Sequence, residues 1–173
     1  MDLLQNILGG GQNRQQLQDF SNRYEQGAPW DGISDQEAME NYQRVAPHLP
    51  PQMYQESAEE AFSRMSPQQR LQLGQYLQQQ TRQQGLNFPD LNRDGIDDRL
   101  QDPRYLAQVT GQMHQQQPNL LGQLLGGARG GGGGAMGGGG AMGGAGALLN
   151  NPIAKAARAG IAATAAKRML SGR

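Results

Sequence analysis

The sequence predicts an all-α protein: a small antiparallel helical bundle, a flexible glycine-rich linker and a C-terminal amphipathic helix. Three observations lead to this prediction. Apolar residues recur with a period near 3.6 through much of residues 13–125, no segment alternates with a period of two, and Pro or Gly closes each periodic stretch. The connections between these stretches are mostly short, which favours antiparallel neighbours.

The composition limits the folded part to one modest core. Of the 173 residues only 36% are hydrophobic and 5% are aromatic, whereas Gln and Gly each occur 26 times. The absence of Cys excludes disulfides, thiolate zinc sites and a Cys nucleophile. We divide the chain into four parts, which are a short apolar docking segment (1–12), the bundle (13–125), the linker (126–151) and a basic helix (152–173).

The first two helices are predicted from cap and stop residues as well as from periodicity. The first covers about residues 13–26 and ends at Gly27. Ser34 begins the second through a capping box with Glu37, and Pro47 ends it. The apolar stripes of these two helices consist of Leu17, Phe20 and Tyr24, and of Ala38, Tyr42 and Val45.

Three more helices are predicted before the linker. The third begins after Pro51 and is separated from the fourth by Ser66 and Pro67, a cap followed by proline at the first helical position. The fourth ends at Gly85, and the fifth begins near Pro103. Their apolar residues are, in order, Tyr54, Ala58, Ala61, Phe62 and Met65; Leu71, Leu73, Gly74, Tyr76 and Leu77; and Leu106, Val109 and Met113.

The segment between the fourth and fifth helices carries oxygen donors with the spacing of a calcium loop. Residues 90–98 read Asp-Leu-Asn-Arg-Asp-Gly-Ile-Asp-Asp. Donors fall at loop positions 1, 3, 5 and 9, glycine at position 6 allows the sharp turn, and position 7 supplies a carbonyl. The predicted Ca²⁺ ligands are Asp90, Asn92, Asp94, the carbonyl of Ile96, Asp98, and Gln101 and Asp102 to complete the shell.

This loop departs from a full EF-hand at position 12, where Gln101 stands in place of a bidentate Glu, so we expect weak binding of Ca²⁺. The pattern resembles the calcium loops of EF-hands, dockerins, thrombospondin type 3 repeats and integrin-type propeller repeats. The resemblance covers residues 90–98 and implies a bound ion but no particular fold. The alternative is an Asx-rich turn, in which Asp94 and Gly95 reverse the chain without an ion.

The formal net charge of zero conceals two oppositely charged parts. Residues 1–125 contain 15 acids and 9 Arg, a net charge of −6, whereas residues 126–173 contain 6 Lys or Arg and no acid, a net charge of +6. We therefore expect the two parts to attract each other.

A last helix is predicted over residues 153–170, amphipathic and basic. Its small residues allow close contact with another helix, and its charge suits the acidic bundle, anionic lipid or nucleic acid. Because it has few large apolar groups, insertion into a membrane would be shallow, and we expect a protein partner. The candidate partner-binding residues are Ile153, Ala157, Ile161, Ala165, Met169, Lys155, Arg158, Lys167 and Arg168.

Glycine makes up 14 of the 22 residues from 126 to 147, which predicts a flexible tether. Two short apolar segments that end in Gly-Gly, at 3–10 and 120–127, are too short to be stable alone. We expect them to dock on the bundle, with a partner chain or a membrane surface as the alternative. These ends and the glycine-rich tail resemble small bacterial proteins of the YidB type, and the resemblance implies no role.

These features favour a non-enzymatic interaction or scaffold protein with a structural Ca²⁺ site and a basic association helix. The alternative is a membrane- or nucleic-acid-peripheral protein anchored by that helix. A hydrolase built on the Asp cluster is least favoured, because its acids would serve as ligands. We expect a protein partner or self-association, no small-molecule substrate, and a cytoplasmic location, since the N-terminus lacks a signal peptide and no apolar run is long enough to span a bilayer.

We expect Ca²⁺ to raise the unfolding temperature, because an ion bound only by the native state stabilises it by mass action. The gain grows with the logarithm of the ratio of free Ca²⁺ to Kd, to about 2.7 kcal/mol at a hundredfold excess. Thermal unfolding with Ca²⁺ and with a chelator measures it, and Asp90→Ala or Asp94→Ala should remove the increment. Identical melting of the unsubstituted protein in the two conditions would reject the site.

Overall fold

The computed structural model describes residues 11–27, 32–83, 85, 98–117, 121, 125 and 152–171. Residues 1–10 of the predicted docking segment 1–12, most of the Asp-rich loop and the linker 126–151 lie outside these residues, whereas residues 11 and 12 belong to the first helix. The helices in the described part are α1 (Gly11–Gln26), α2 (Asp35–Val45), α3 (Pro51–Ser63), α4 (Pro67–Gln83), α5 (Pro103–Gln116) and α6 (Pro152–Leu170). Short 3-10 turns follow α2 (Ala46–His48) and precede α5 (Asp98–Gln101). The all-α prediction is confirmed, and contacts between the helices support the bundle.

The helices begin where the sequence provides side-chain caps. The Ser34 hydroxyl accepts the Glu37 N–H at 3.1 Å, as the predicted capping box requires. At the start of α4 the box is reciprocal, because the Ser66 hydroxyl accepts the Gln69 N–H while the Gln69 amide oxygen accepts the Ser66 N–H. Asp102 caps α5 in the same way by accepting the N–H of Arg104. These caps satisfy N–H groups that have no partner within the helix.

The C-terminal helix α6 is the element around which the bundle is arranged. Helices α1, α2 and α3 each pack extensively on α6, and α3 also packs on α5. Among the described residues, α1 makes its extensive helix contacts with α6 alone. Every residue from 156 to 166 is buried, so α6 is enclosed on all sides rather than along one stripe.

This placement differs from the expectation of an amphipathic helix standing apart after the linker. The segment from 156 to 166 consists of Ala, Gly and Thr with one Ile and one Arg, and side chains this small allow other helices to approach from every direction. The helix is therefore part of the core of the bundle.

The predicted apolar stripes of the other helices form the rest of the core. Their residues are buried, except that Leu71 and Tyr76 of α4 are only partly buried against the core. Leu121 and Leu125 join the core, so the second Gly-Gly segment docks on its own bundle at these two positions. The largest buried members of these stripes are Leu17, Phe20, Tyr24, Tyr42, Tyr54, Phe62, Leu73, Leu77 and Leu106.

Two glycines mark places where elements approach too closely for a side chain. A Cβ at Gly160 of α6 would lie 2.6 Å from the Ala61 Cβ, 2.7 Å from the Tyr24 hydroxyl and 3.2 Å from the Ala61 Cα. A Cβ at Gly74 of α4 would lie 2.7 to 2.9 Å from side-chain atoms of Leu100. Gly160 is therefore the point where α6 touches both α1 and α3.

We expect Gly160→Ala to destabilise the protein by about 1–2 kcal/mol, because overpacking against Ala61 and Tyr24 outweighs the roughly 1 kcal/mol by which Ala favours a helix over Gly. Chemical denaturation measures the change. Gly11→Ala is the matched control, since a Cβ at Gly11 has nothing within 4 Å and should leave stability unchanged or slightly raised. Equal stability of Gly160→Ala and the wild type would contradict this account of the contact.

Candidate functional site

The clearest candidate site is the surface that α1, α2 and α3 present to α6. Besides the apolar contacts, the Ser21 hydroxyl of α1 donates to the Ala163 carbonyl of α6 at 3.2 Å, in the core. This hydrogen bond joins α1 directly to the backbone of the buried helix and is worth about 1 kcal/mol. The three helices thus form a receptor surface for a helix of small residues.

The basic end of α6 meets three glutamates of this receptor surface. Lys167 pairs with Glu25 of α1, and the Arg168 guanidinium contacts Glu56 at 2.6 Å and Glu60 at 3.4 Å, both on α3. These pairs are partly exposed, so each is worth little stability alone, but together they specify which end of the helix lies here. These ion pairs join the acidic and the basic part of the chain, which the sequence predicted to attract each other.

The residues predicted to contact a partner lie in several environments. Ala157, Ile161 and Ala165 are buried within their own chain, Ile153 and Met169 are partly buried against the core, and Lys155 is partly exposed. Lys167 and Arg168 form the ion pairs described above. In this structure these residues mostly contact helices of their own chain instead of another protein. Their binding of a partner stays a prediction.

Arg158 is the residue whose environment departs furthest from the sequence-based expectation. It was predicted as one of the basic residues that bind a partner, but it is only 1% exposed. Its Nε donates to the Ala154 carbonyl at 3.1 Å, whereas Nη2 has no hydrogen-bond partner. Burial lowers the pKa of Arg158, and the nearby Asp35, Tyr76 and Tyr42 act in the opposite direction. A guanidinium in this position is costly to bury.

A cluster of aromatic side chains lies beside this arginine. The hydroxyls of Tyr42 and Tyr54 are 2.9 Å apart and hydrogen-bonded in the core, and the Tyr54 ring stacks on His114 with ring centroids 4.2 Å apart. Burial raises the pKa of both tyrosines and lowers the pKa of His114. Periodicity identified the two tyrosines as core residues, but pairing of their hydroxyls depends on how α2 and α3 meet, which the sequence does not encode locally.

The end of the Asp-rich loop is tied to the bundle at the 3-10 turn before α5. Leu100 is buried over Gly74, and the Arg70 Nε donates to the carbonyl of Gln101. The same guanidinium donates through Nη1 to the carbonyls of Phe62 and Met65 at the end of α3. One arginine therefore joins the end of α3 to the exit of the loop.

The predicted Ca²⁺ ligands are only partly visible in this region. Asp90, Asn92, Asp94 and Ile96 lie outside the described residues, and Asp98 begins the 3-10 turn. The side chain of Gln101 is exposed, and one carboxylate oxygen of Asp102 accepts the N–H of Arg104 at 2.9 Å. Within the described ranges no group of three or more acidic, His or Cys side chains is placed to hold a metal ion. Binding of Ca²⁺ by the loop stays a prediction.

A groove of about 350 Å³ lies between α3 and α5. Its lining consists of Pro51, Gln55, Gln108, Gly111, Gln112 and Gln115. Glutamine amides both donate and accept hydrogen bonds but do not titrate. The lining of this groove therefore offers no group for proton transfer.

Comparisons with family models, with curated proteins and with solved structures find no match to this chain. In the part of the chain that the structure describes, every helix is too short or too polar to cross a bilayer. Function therefore has to be inferred from the geometry and chemistry of the receptor surface and of α6.

We expect Arg158→Met to raise the stability of the protein by about 1 kcal/mol or more, because Met fills much of the same space without a buried charge. Arg158→Ala is the control for packing and should be less stable than Arg158→Met, since it also leaves a cavity. Chemical denaturation of both variants measures the difference. A lower stability of Arg158→Met than of the wild type would show that the guanidinium has a stabilising partner.

Proposed function

We propose that this protein is a non-enzymatic interaction and scaffold protein that works by binding a helix. Its binding site is the receptor surface formed by α1, α2 and α3, and its ligand is a helix of small residues with a basic C-terminal end. In this structure the ligand is α6 of the same chain. In an assembly the ligand is α6 of a second copy, so that the chains become linked by exchange of this helix.

The observation that carries this proposal is the burial of residues 156–166 of α6 among α1, α2 and α3, each of which packs extensively on it. The surface around α6 accepts only a helix with a small residue at the position of Gly160, because Ala61 and Tyr24 approach closely there. It also has a charge requirement, the three glutamates that meet Lys167 and Arg168. Shape and charge together define the helices that this surface can accept.

The connection between α5 and α6 supports transfer to a second copy. Residues 126–151 are predicted to be a glycine-rich linker, and a chain of this length and composition has a root-mean-square span of roughly 28 Å. A tether of that reach gives an effective concentration in the millimolar range for binding within the same chain. Exchange between copies is therefore favoured at high protein concentration.

The alternative of an anchor for a membrane surface or nucleic acid would use the same basic residues. Lys167 and Arg168 are engaged with glutamates of the receptor surface, and Arg158 is buried. Binding of an anionic surface by this helix would require α6 to leave the bundle and would expose the apolar walls around it. No observation favours that process over helix exchange.

We retain the weak Ca²⁺ site at residues 90–98 as a structural element of the scaffold.

Peptide exchange into a nicked protein tests the proposal. A protease site introduced between Met136 and Met142 allows the folded full chain to be cut in the linker, after which α6 is held by non-covalent contacts alone. We expect a fluorescent peptide of residues 150–173 to replace α6 and to bind in a saturable way, because it carries the same side chains. Fluorescence anisotropy measures the binding.

Two control peptides separate recognition from non-specific adhesion. Gly160→Leu keeps the charge of the peptide but adds a side chain where Ala61 and Tyr24 leave no space, and Lys167→Glu with Arg168→Glu keeps the shape but reverses the end charge. We expect both to bind at least tenfold more weakly. Equal binding of all three peptides, or dissociation of the nicked protein without exchange, would refute a specific receptor surface.

A further inference from the structure

His114 lies in the core where α5 meets α3. These two helices pack on each other more extensively than any other pair in the described part of the chain. The His114 ring stacks on the Tyr54 ring of α3 with the two ring planes 6° apart, and its Nε2 lies 3.4 Å from the carbonyl oxygen of Leu49. One imidazole therefore contacts both α3 and the turn that follows α2.

This position suits a neutral imidazole better than a charged one. His114 is only 7% exposed, and burial, the larger influence, lowers its pKa, whereas the hydrogen bond with the Leu49 carbonyl raises the pKa. Neither influence comes from a carboxylate. A proton added to this ring therefore produces a cation with no counter-ion among the described residues to offset its desolvation.

The titratable groups of the aromatic cluster give this cation no compensation. Tyr54 on α3 and Tyr42 on α2 are buried, and burial raises the pKa of each, so both hydroxyls stay neutral from about pH 5 to about pH 8. Arg158 of α6, whose charge acts on Tyr42, is positive and opposes a second cation. His48, in the turn that leads to Leu49, is exposed.

The acids of α3 and of the turn before α5 are engaged elsewhere or lie at the opposite end of α5. They are Glu56, Glu59, Glu60, Asp98 and Asp102. The three glutamates pair with Arg168 and Arg104. Asp102 caps the start of α5, roughly 18 Å along the helix axis from His114. Helix α4 contains arginines and no acid.

The stacked imidazole is one contact away from the receptor surface. The hydroxyl of Tyr54, the residue on which His114 stacks, is hydrogen-bonded to the Tyr42 hydroxyl at 2.9 Å. These two tyrosines belong to α3 and α2, two of the three helices that pack on α6. Displacement of the His114 ring therefore removes support from Tyr54 at the junction of α2 and α3.

We propose that His114 is an acid-sensitive switch that holds α5 on α3 when neutral and loosens this junction, and with it the receptor surface for α6, when protonated. Loosening of the junction stands on its own, whereas its effect on α6 rests on the proposed function. Because the fold lowers the pKa of His114 below the ordinary value of 6.5, the unfolded chain binds this proton more readily. The contribution of His114 to stability is therefore fully present above pH 6.5 and is lost as the pH falls below that value.

Proton uptake by His114 is measured directly by NMR on the full chain between about pH 8 and about pH 5. The chain contains two histidines, so His48→Gln leaves His114 alone and assigns its ring signals. We expect His114 to titrate at a lower pH in the folded chain than in the same chain unfolded by urea, because the core disfavours the cation. Titration at the same or a higher pH in the folded chain overturns the switch.

Chemical denaturation at about pH 7.5 and about pH 5.5 separates a switch from a ring that only fills space. We expect the denaturation midpoint of the wild type to fall on acidification, and that of His114→Phe to fall less, because Phe keeps a flat ring on Tyr54 but binds no proton. His48→Gln, at an exposed position, is the matched control and should follow the wild type. His114→Gln, which keeps a hydrogen-bond donor for Leu49, replaces the Phe variant if that variant does not fold. Equal acid-induced losses in the wild type and the His114 variant overturn the switch.

Amide hydrogen exchange on the full chain, corrected for its intrinsic dependence on pH, measures whether the loosening reaches α6. Helix α6 contains no His and no acid, so its own charge does not change between these two pH values. We expect residues 156–166 to exchange faster at about pH 5.5 in the wild type than in His114→Phe. Equal exchange in the two proteins overturns the coupling to α6. Peptide binding at about pH 7.5 tests helix exchange separately, and its failure refutes the proposed function while the titration and denaturation results still decide on His114.

Discussion

The close packing of small side chains around α6 is the constraint on which the rest of the structure depends. Each Ala, Gly or Thr buries little apolar area, but these small residues let three helices approach α6 closely. Many small van der Waals contacts therefore do the work that a few large apolar side chains do in other cores. Because α1 packs mainly on α6, the last helix of the chain supplies the common surface for the first. The bundle is thus completed by α6, and among the described helices α1 and α2 share no comparable surface without it.

Electrostatics determine the orientation of this helix more than its stability. The acidic part of the chain attracts the basic part over long range, and the partly exposed pairs at Lys167 and Arg168 identify the correct end. The buried Arg158 works against stability, since its charge is desolvated and Nη2 has no hydrogen-bond partner.

Sequence reasoning succeeded where the cause of structure is local. The caps at Ser34 and Ser66 and the stops at Gly and Pro depend on a few neighbouring residues, and so do the apolar stripes of α1 to α5. The position of α6 was missed because Ala contributes weakly to any hydrophobic pattern, so the two Ile residues and Met169 suggested a stripe where burial is in fact all round. The burial of Arg158 and the contact of Tyr42 with Tyr54 depend on which helices meet, and spacing within one helix carries no information about that.

In the proposed exchange, the helix that completes the bundle of one chain would also link two molecules. The receptor surface recognises the side chains of α6, and those side chains are identical whether the helix comes from its own chain or from another copy. Under the proposal, the predicted linker 126–151 would set the balance between the two through effective concentration.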